Sequence, residues 1–361
     1  MKIGIVGLPQ TGKTSLFNAL TSSNVELGFG GGRKDPNLAQ ARVQDDRLDR
    51  LTEIFQPRSH IPTVVEYVDL SGLARGTARK EGFSPEFISN IKGTDAVLYV
   101  SRQFASEEVV HPEGTVDPVR DINIVLDEFL FSDLTVATGR LERLRKQVMK
   151  VKDPALLREL DLLERCLAHL EEEQPLSSLE LKLEEEKTIR SFAFLTRKPM
   201  LVVINIGEED LAAAIELERN ITRQFPEHLK FVVVNARLEA EIAQLPPEDR
   251  IIFLADYGLK EAACNRVIQN SYELLGLISF FTVGEDECRA WTVTGGSPAS
   301  KAAGTIHTDM ERGFIRAEVV HYEDFIRAGS LAEARKQGTM KLEGRDYSVR
   351  DGDIISIRFN V

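Results

Sequence analysis

The sequence has few cysteines and no long apolar run, and both absences restrict what it can encode. Its three cysteines, Cys166, Cys264 and Cys288, are widely spaced and odd in number. This predicts neither a metal-ligand set nor a disulfide framework and favours a reducing cytoplasm. No run approaches the roughly 18 apolar residues that span a bilayer, so we expect no membrane segment. The first apolar run starts at Lys2, so we expect no signal peptide.

An excess of positive charge is also missing, because 45 Lys and Arg face 57 Asp and Glu and the formal net charge is −12. This excludes a protein that coats nucleic acid by bulk charge, and DNA is not an expected partner. Docking on structured RNA through a local basic patch stays open. The 42% of apolar and 28% of charged residues are typical of a globular chain, which we expect to be monomeric with about two or three domains.

Five short apolar runs rich in β-branched residues predict strands that are buried on both faces. Helix-like stretches, such as residues 13–20 and 46–54, separate the runs. This alternation predicts an α/β fold, in which helices cover both faces of a parallel sheet. The runs are residues 2–8, 63–70, 96–100, 200–206 and 231–234.

A long helical insertion separates the third and fourth runs. Leucines and valines recur at three- and four-residue steps on both sides of Asp153-Pro154, an N-cap followed by a favoured first helical position. We expect an antiparallel hairpin that projects from the sheet. From about Ser279, short β-like runs alternate with Gly-rich turns, which predicts a small α+β domain. The predicted segments are 1–130 and 198–278 for the sheet domain, 131–197 for the hairpin and 279–361 for the terminal domain.

Residues 7–14 match G-x-x-x-x-G-K-[ST], the pattern of a phosphate-binding loop. Its glycines let backbone N–H groups surround a β-phosphate, and the following helix N-terminus adds positive potential. Lys13 is expected to contact the β- and γ-phosphates, and Thr14 to bind Mg²⁺. The predicted nucleotide-binding residues here are Gly7, Pro9, Gln10, Thr11, Gly12, Lys13, Thr14 and Ser15.

The segment Asp69-Leu70-Ser71-Gly72 ends the second apolar run. After a phosphate-binding loop, Asp-x-x-Gly is a second element of nucleotide switches. Asp69 is expected to hold Mg²⁺ through water, and the Gly72 N–H to contact the γ-phosphate. The next residue, Leu73, cannot polarise the attacking water, so a catalytic group has to come from elsewhere.

Asn205-Ile206-Gly207-Glu208 ends the fourth run, where a guanine-specific protein carries Asn-Lys-x-Asp. Glu208 is one methylene longer than Asp, and Ile206 replaces the Lys whose stem covers the base. Both changes disturb guanine selection, which favours ATP over GTP. The last base-contact loop is expected after the fifth run. Its predicted residues are Asn235, Ala236 and Arg237.

With these motifs the chain resembles the YchF family, the Obg-like ATPases, over nearly its whole length. The resemblance implies a translation-factor-class P-loop fold with a helical arm and a TGS domain. It also implies a preference for ATP, slow hydrolysis, and association with ribosomes and ribosomal RNA through the TGS domain and the arm. The most specific segments, similar to the TGS-containing end of the family, are residues 272–278, 289–292, 303–309, 313–318 and 358–361.

The resemblance further implies a catalytic histidine, which matches His111 ahead of Val116-Asp117-Pro118. An ordinary loop histidine is the alternative. Departures from the family pattern mark a divergent member. Gly32 replaces a redox-linked Cys, and Arg33 replaces a Thr expected to touch Mg²⁺. Gln10-Thr11 stands where the family usually has Asn-Val.

Three functions are compatible with these observations. The first is a cytoplasmic switch that hydrolyses ATP with Mg²⁺ and docks on ribosomes. The second is a nucleotide-dependent binding module with little turnover. The third is a GTPase of the same family.

Overall fold

The computed structural model describes residues 1–22, 37–70, 83–106, 109–151, 153–259 and 261–360, without the side chain of Pro247. These residues belong to two units. The first unit consists of Met1–Ala39 and Glu66–Cys264, and the second of Gln40–Val65 and Asn265–Val361.

The described strands and helices are numbered in chain order. The strands are β1 Lys2–Val6, β2 Asn37–Arg42, β3 Ser59–Ile61, β4 Val64–Asp69, β5 Ala96–Arg102, β6 Met200–Asn205, β7 Lys230–Val234, β8 Leu277–Val283, β9 Glu287–Thr294, β10 Phe314–His321, β11 Lys341–Glu343 and β12 Asp353–Phe359. The helices are α1 Lys13–Thr21, α2 Asp46–Phe55, α3 Pro85–Lys92, α4 Pro118–Lys150, α5 Pro154–Glu171, α6 Leu183–Ile189, α7 Ala214–Thr222, α8 Ala236–Gln244, α9 Pro247–Asp256, α10 Ala263–Leu274, α11 Ala299–Ile306, α12 Thr308–Arg312, α13 Tyr322–Ala328 and α14 Leu331–Lys336.

The first sheet has six strands in the order β2–β4–β1–β5–β6–β7. Its pairs β1–β4, β1–β5, β5–β6 and β6–β7 are parallel. The central strands β5 and β6 are buried along their whole length, as expected for runs of Val, Ile and Leu covered on both faces. The predicted α/β fold with a parallel sheet is therefore confirmed.

The inserted segment is the predicted helical hairpin. Helix α4 is continuous over 33 residues, and its first half packs on the sheet through Ile122, Val125 and Phe129. Its second half packs on α5 through a leucine seam that also buries Cys166. The Asp153 carboxylate accepts a hydrogen bond from the Ala155 N–H at 2.8 Å and caps α5. The short connection makes the two packed helices antiparallel.

The second unit contains a six-stranded sheet in the order β11–β10–β12–β8–β9–β3. Its edge strand β3 comes from the front half of the chain and pairs in parallel with β9. The apolar face of α2 is buried in the same unit, where Leu48 and Leu51 join Phe281 and Phe55 stacks on Phe325 at 5.5 Å.

The two units differ from the segments predicted from the sequence. Residues 40–65 were expected in the sheet domain, but they group with the C-terminal residues because α2 packs into that core. The C-terminal part of the unit starts at Asn265, ahead of the predicted boundary at Ser279. The predicted boundary after residue 130 falls inside α4.

Cys166, Cys264 and Cys288 are free and buried. Within the ranges that the structure describes, no helix has both the length and the apolar character needed to cross a membrane.

Candidate nucleotide-binding site

The carboxyl ends of the parallel strands bring the predicted site residues to one edge of the first sheet. The phosphate-binding loop follows β1, Asp69 ends β4, Asn205 ends β6 and Asn235 follows β7. Strand β1 lies between β4 and β5, so the direction of winding reverses there. Open α/β sheets bind ligands outside the carboxyl ends of the strands at such a point.

The loop of residues 7–14 needs glycine at both ends of its motif. A Cβ atom at Gly7 would lie 2.4 Å from the Val100 carbonyl oxygen. Gly12 has a φ of +90°, and a Cβ atom there would lie 2.2 Å from Asn205 Nδ2. Gln10 also has a positive φ, 64°, which is uncommon for a residue with a side chain. The chain is therefore turned tightly between β1 and α1.

Lys13 is held inside this loop. Its Nζ atom donates hydrogen bonds to the carbonyl oxygens of Gly7 at 3.0 Å and Leu8 at 2.6 Å. Only 6% of the residue is exposed. Burial lowers the pKa of Lys13 to about 8, and the negative charge of Asp69 partly opposes this shift. The pKa of Lys13 therefore lies close to neutral pH, and an anionic partner would stabilise its charged form.

Thr14 and Asp69, the two predicted Mg²⁺ ligands, lie together. The Thr14 hydroxyl donates to Asp69 Oδ2 at 3.2 Å. Among the described residues, no group of three or more His, Cys, Asp and Glu side chains is placed to hold a metal. Mg²⁺ prefers oxygen ligands and keeps several waters, so one hydroxyl and one carboxylate fit it. A bound ion would neutralise phosphate charge there.

The rest of the loop supports this arrangement. The Thr11 side chain is fully buried, and its hydroxyl donates to the Leu8 carbonyl oxygen at 3.1 Å. Ser15 is half-buried in the first turn of α1, and Pro9 and Gln10 are exposed at the tip of the loop. Thr11 therefore stabilises the loop from inside, a role that the motif does not predict.

Asn205 connects the loop to the neighbouring strand end. Its Nδ2 atom donates to the Thr11 carbonyl oxygen at 2.9 Å, and its Oδ1 atom accepts from the Ala236 N–H at 3.0 Å. Asn235 has a different role, because its Oδ1 atom accepts from the Leu238 N–H at 2.9 Å and caps α8. The structure thus brings Thr11, Asn205 and Ala236 together.

The other predicted base contacts are placed differently. Ile206 is buried in the hydrophobic core of the first unit, so its side chain offers little surface to a base. Glu208 is exposed at the start of the 3₁₀ helix Glu208–Ala213. Arg237 is exposed on α8, where its Nε atom lies 3.5 Å from Glu241 Oε1.

His111 lies in a buried polar cluster at the start of α4. Its Nδ1 atom accepts from the Glu113 N–H at 3.1 Å, and its Nε2 atom lies 2.9 Å from Asp121 Oδ2. An acceptor Nδ1 requires the proton on Nε2. Arg120 donates to the other oxygen of Asp121 from Nε at 3.0 Å and Nη2 at 2.7 Å. The Nδ1 atom of His111 is therefore engaged, whereas Nε2 is buried within ion-pair distance of Asp121 and makes no hydrogen bond to the described residues.

Asp121 and Arg102 are buried charged residues near this edge that the motifs do not predict. Burial raises the pKa of Asp121, and Arg120 and His111 oppose the shift. Asp121 shares the four-residue spacing of the buried Val125 and Phe129, so a carboxylate within an apolar stripe was the available signal. Arg102 is paired in register with Asn205 across β5 and β6. Its guanidinium donates to the carbonyl oxygens of Phe104 and Val109, both at 3.0 Å.

Some of the residues to which a role was assigned from the sequence lie outside the described residues. They include Gly32, Arg33, Gly72 and Leu73.

The parallel sheet with a glycine-dependent phosphate-binding loop at its carboxyl edge defines a P-loop nucleoside-triphosphatase fold. Residues 2–130 match a family model described as "50S ribosome-binding GTPase". Residues 277–360 match the YchF-GTPase_C model, described as "Protein of unknown function (DUF933)". The similarity to individual proteins extends over the whole chain, and the chain belongs to the YchF family.

Three relatives illustrate this similarity. The chain is 40% identical over 363 residues to "Ribosome-binding ATPase YchF" of Bacillus subtilis (strain 168), covering 99% of both chains. It is 42% identical over 361 residues to the protein of the same name from Haemophilus influenzae, covering 100% of this chain and 99% of that one. The solved Schizosaccharomyces pombe YchF GTPase is 30% identical, with a TM-score of 0.88 and coverage of 99% and 97%.

Proposed function

We propose that this chain binds ATP with Mg²⁺, hydrolyses it slowly and associates with ribosomes according to its nucleotide state. The observation that carries the proposal is the cluster at the carboxyl edge of the first sheet. There a buried Lys13, the Thr14–Asp69 pair and the Asn205 bridge surround one turn of backbone.

The phosphate chain of the nucleotide would occupy the concave side of residues 7–14. Backbone N–H groups at the start of α1 favour an anion, and a phosphate would replace the carbonyl partners of Lys13. Thr14 and Asp69 would hold Mg²⁺, which neutralises charge on the terminal phosphates. Phosphoryl transfer depends mainly on positioning and electrostatic stabilisation, which these groups supply without an activated nucleophile.

The preference for ATP rests on Glu208 and Ile206. Guanine is selected by a carboxylate held at a fixed distance from the edge of the base. The Glu208 side chain is one methylene longer than the Asp of a guanine-specific protein, and it is exposed at the start of a 3₁₀ helix. The buried Ile206 supplies no cationic stem over the base. The names of the relatives include both an ATPase and a GTPase, so GTP is the alternative nucleotide.

Hydrolysis is proposed to be slow and to depend on His111 and Lys13. His111 would have to leave Asp121 or Glu113 before a ring nitrogen could orient water. A nucleotide-dependent binding module with little turnover is the second candidate, and the burial of His111 beside Asp121, with Nδ1 accepting from the Glu113 N–H, favours it.

Ribosome association is proposed from the names of the full-length relatives, "Ribosome-binding ATPase YchF". The C-terminal unit and the helical hairpin are the proposed contact regions, and a cytoplasmic monomer is the proposed form. Removal of residues from Ser279 onward would cut β8 and expose Leu48 and Leu51 of α2. Surface variants of the full chain, such as Arg316→Ala/Lys341→Ala, are therefore the better test of the C-terminal unit.

The test is ATP and GTP binding followed by single-turnover hydrolysis, each with and without ribosomes. The proposal expects ATP to bind more tightly, a slow turnover, and ribosome co-sedimentation that changes with the nucleotide. Tight binding without turnover under all conditions would support the binding module instead. Nucleotide-independent co-sedimentation would contradict the switch.

A further inference from the structure

A buried arginine at the end of β5 holds the backbone of the segment that leads to His111. Arg102 is 1% exposed, and its Nε and Nη2 atoms donate to the carbonyl oxygens of Phe104 and Val109, both at 3.0 Å. Its Cζ atom also lies 4.4 Å from the centre of the Phe104 ring. One side chain therefore fixes the backbone at two separate points, and the second point lies just ahead of His111.

Stability alone does not favour an arginine at this position. The Nη1 atom of Arg102 is buried and makes no hydrogen bond to the described residues. Burial lowers the pKa of Arg102, and no carboxylate among the described residues opposes this shift. A buried cation without a paired carboxylate is costly, and an apolar side chain of similar volume is often at least as stable. The arginine is therefore better explained by the two carbonyl oxygens that it holds.

Apolar packing does not hold the segment next to His111 in place. Val110, which lies between Val109 and His111, is 77% exposed. On the other side of the buried His111, the Gly114 N–H donates to the His111 carbonyl oxygen at 2.9 Å. The backbone of His111 is thus fixed by this turn on one side and by Arg102 on the other.

The Arg102 side chain lies on the face of the sheet that Asn205 shares with the phosphate-binding loop. Arg102 is in register with Asn205 on the parallel strand β6, and in-register residues of neighbouring strands point to the same face. Asn205 donates to the Thr11 carbonyl oxygen at 2.9 Å, and the Gln103 N–H donates to the Asn205 carbonyl oxygen at 2.8 Å. The segment that Arg102 holds therefore begins beside the phosphate-binding loop.

We propose that Arg102 is a positioning residue for His111, which it places by holding the backbone at Phe104 and Val109. This inference rests on the proposed hydrolysis and adds a residue that acts in it through His111. On a fixed backbone, His111 can reach the attacking water by rotation of its side chain alone. On a released backbone the whole segment must be oriented as well, and a misplacement of about 1 Å can cost about 10²-fold in rate.

The test compares Arg102→Met with the matched control Arg250→Met. Arg250 also donates from Nε and Nη2 to two backbone carbonyl oxygens, those of Leu245 and Ala243, both at 2.8 Å. It belongs to the same unit as Arg102. If Arg102→Met does not fold, Arg102→Lys takes its place, because lysine keeps the charge but lacks the planar fork that holds two carbonyl oxygens.

Three measurements are made on each variant. Urea unfolding gives the stability. Single-turnover hydrolysis at saturating ATP gives the rate without a contribution from affinity, and it is also measured in His111→Ala and in Arg102→Met/His111→Ala. Amide hydrogen exchange of residues 109–117 reports how firmly the backbone around His111 is held, and it does not require turnover.

The expected result is an Arg102→Met variant that hydrolyses ATP on the order of 10²-fold more slowly, exchanges residues 109–117 faster and unfolds much like the wild type. The double variant should be no slower than His111→Ala, because the two substitutions remove one effect. Arg250→Met should keep the wild-type rate and the wild-type exchange of residues 109–117.

Unchanged exchange of residues 109–117 in Arg102→Met would overturn the inference, and so would an unchanged or faster rate in that variant. Equal slowing with and without His111 would overturn it also, because Arg102 would then act elsewhere. A wild-type rate in His111→Ala, or no turnover in the wild type, would contradict the proposed function instead. The exchange of residues 109–117 would then decide alone whether Arg102 places His111.

Discussion

The Asn205 amide nitrogen lies 2.9 Å from the carbonyl oxygen of Thr11, so the end of β6 holds the phosphate-binding loop in place. The same side chain accepts from the Ala236 N–H at 3.0 Å. The buried Asn205 amide therefore connects the phosphate-binding loop to the start of α8.

Asn205→Ala is expected to lower the free energy of unfolding by about 1–3 kcal/mol, because the Thr11 carbonyl and the Ala236 N–H lose their partner. ATP affinity should fall as well, since the loop is no longer held. The measurements are urea unfolding and equilibrium ATP titration. Asn270→Ala is the control, because it removes one asparagine hydrogen bond, to the Arg266 carbonyl, in the second unit. If Asn205→Ala and Asn270→Ala bind ATP with the same affinity, Asn205 does not contribute to nucleotide binding.

ATP binding is expected to weaken above pH 8. In the free chain burial lowers the pKa of Lys13 to about 8, and a bound phosphate favours the ammonium and raises it. Binding then takes up a proton above pH 8, and the Kd should rise by up to about tenfold per pH unit. Calorimetry of Mg-ATP binding in two buffers of different ionisation enthalpy measures the uptake. No proton uptake at pH 8.5 would show that the pKa of Lys13 is not lowered.

ATP is expected to bind more tightly than GTP, because Glu208 and Ile206 lack the spacing and the cation that select guanine. Titration with both nucleotides under the same Mg²⁺ concentration measures the ratio. A tenfold preference for GTP, about 1.4 kcal/mol, would show that the Asn-x-x-Glu segment does not select the base as proposed.

Much of the first sheet could be predicted from the sequence, and the reason is burial. Strands covered on both faces must be continuously apolar, and the runs that form β1, β5, β6 and β7 stand out for that reason. Strand β4 was also expected to be buried on both faces, but its residues alternate between buried and more exposed positions, so it is buried on one face only. Strand β2 was missed because it lies at the sheet edge and Ala41 is its one fully buried residue. The grouping of α2 with the C-terminal residues was missed because periodicity shows that Leu48 and Leu51 are buried but not what buries them.

The site was predictable where chemistry depends on residue type at fixed spacing, as in Gly7, Gly12 and Lys13. It was not predictable where a polar side chain finds a distant partner. Asp121 approaches His111 only because α4 begins beneath that loop. The cap formed by Asn235 likewise depends on where α8 starts.

His111→Ala is expected to slow single-turnover ATP hydrolysis by about 10²–10⁴-fold if the histidine orients water, with ATP affinity unchanged. The variant should also unfold more easily, because the buried Asp121 loses one of its partners. His228→Ala, an exposed histidine of the same unit, is the control. A wild-type turnover rate in His111→Ala, together with lower stability, would make His111 a structural residue.

The measurement that tests the central claim most directly is equilibrium titration of Mg-ATP into the wild type and into Lys13→Ala, with Lys187→Ala as a surface control. Lys13 is the buried cation at the centre of the loop, so the account predicts ATP binding by the wild type and by Lys187→Ala, and none by a folded Lys13→Ala. Near-normal ATP affinity in Lys13→Ala would contradict the assignment of residues 7–14 as the triphosphate site.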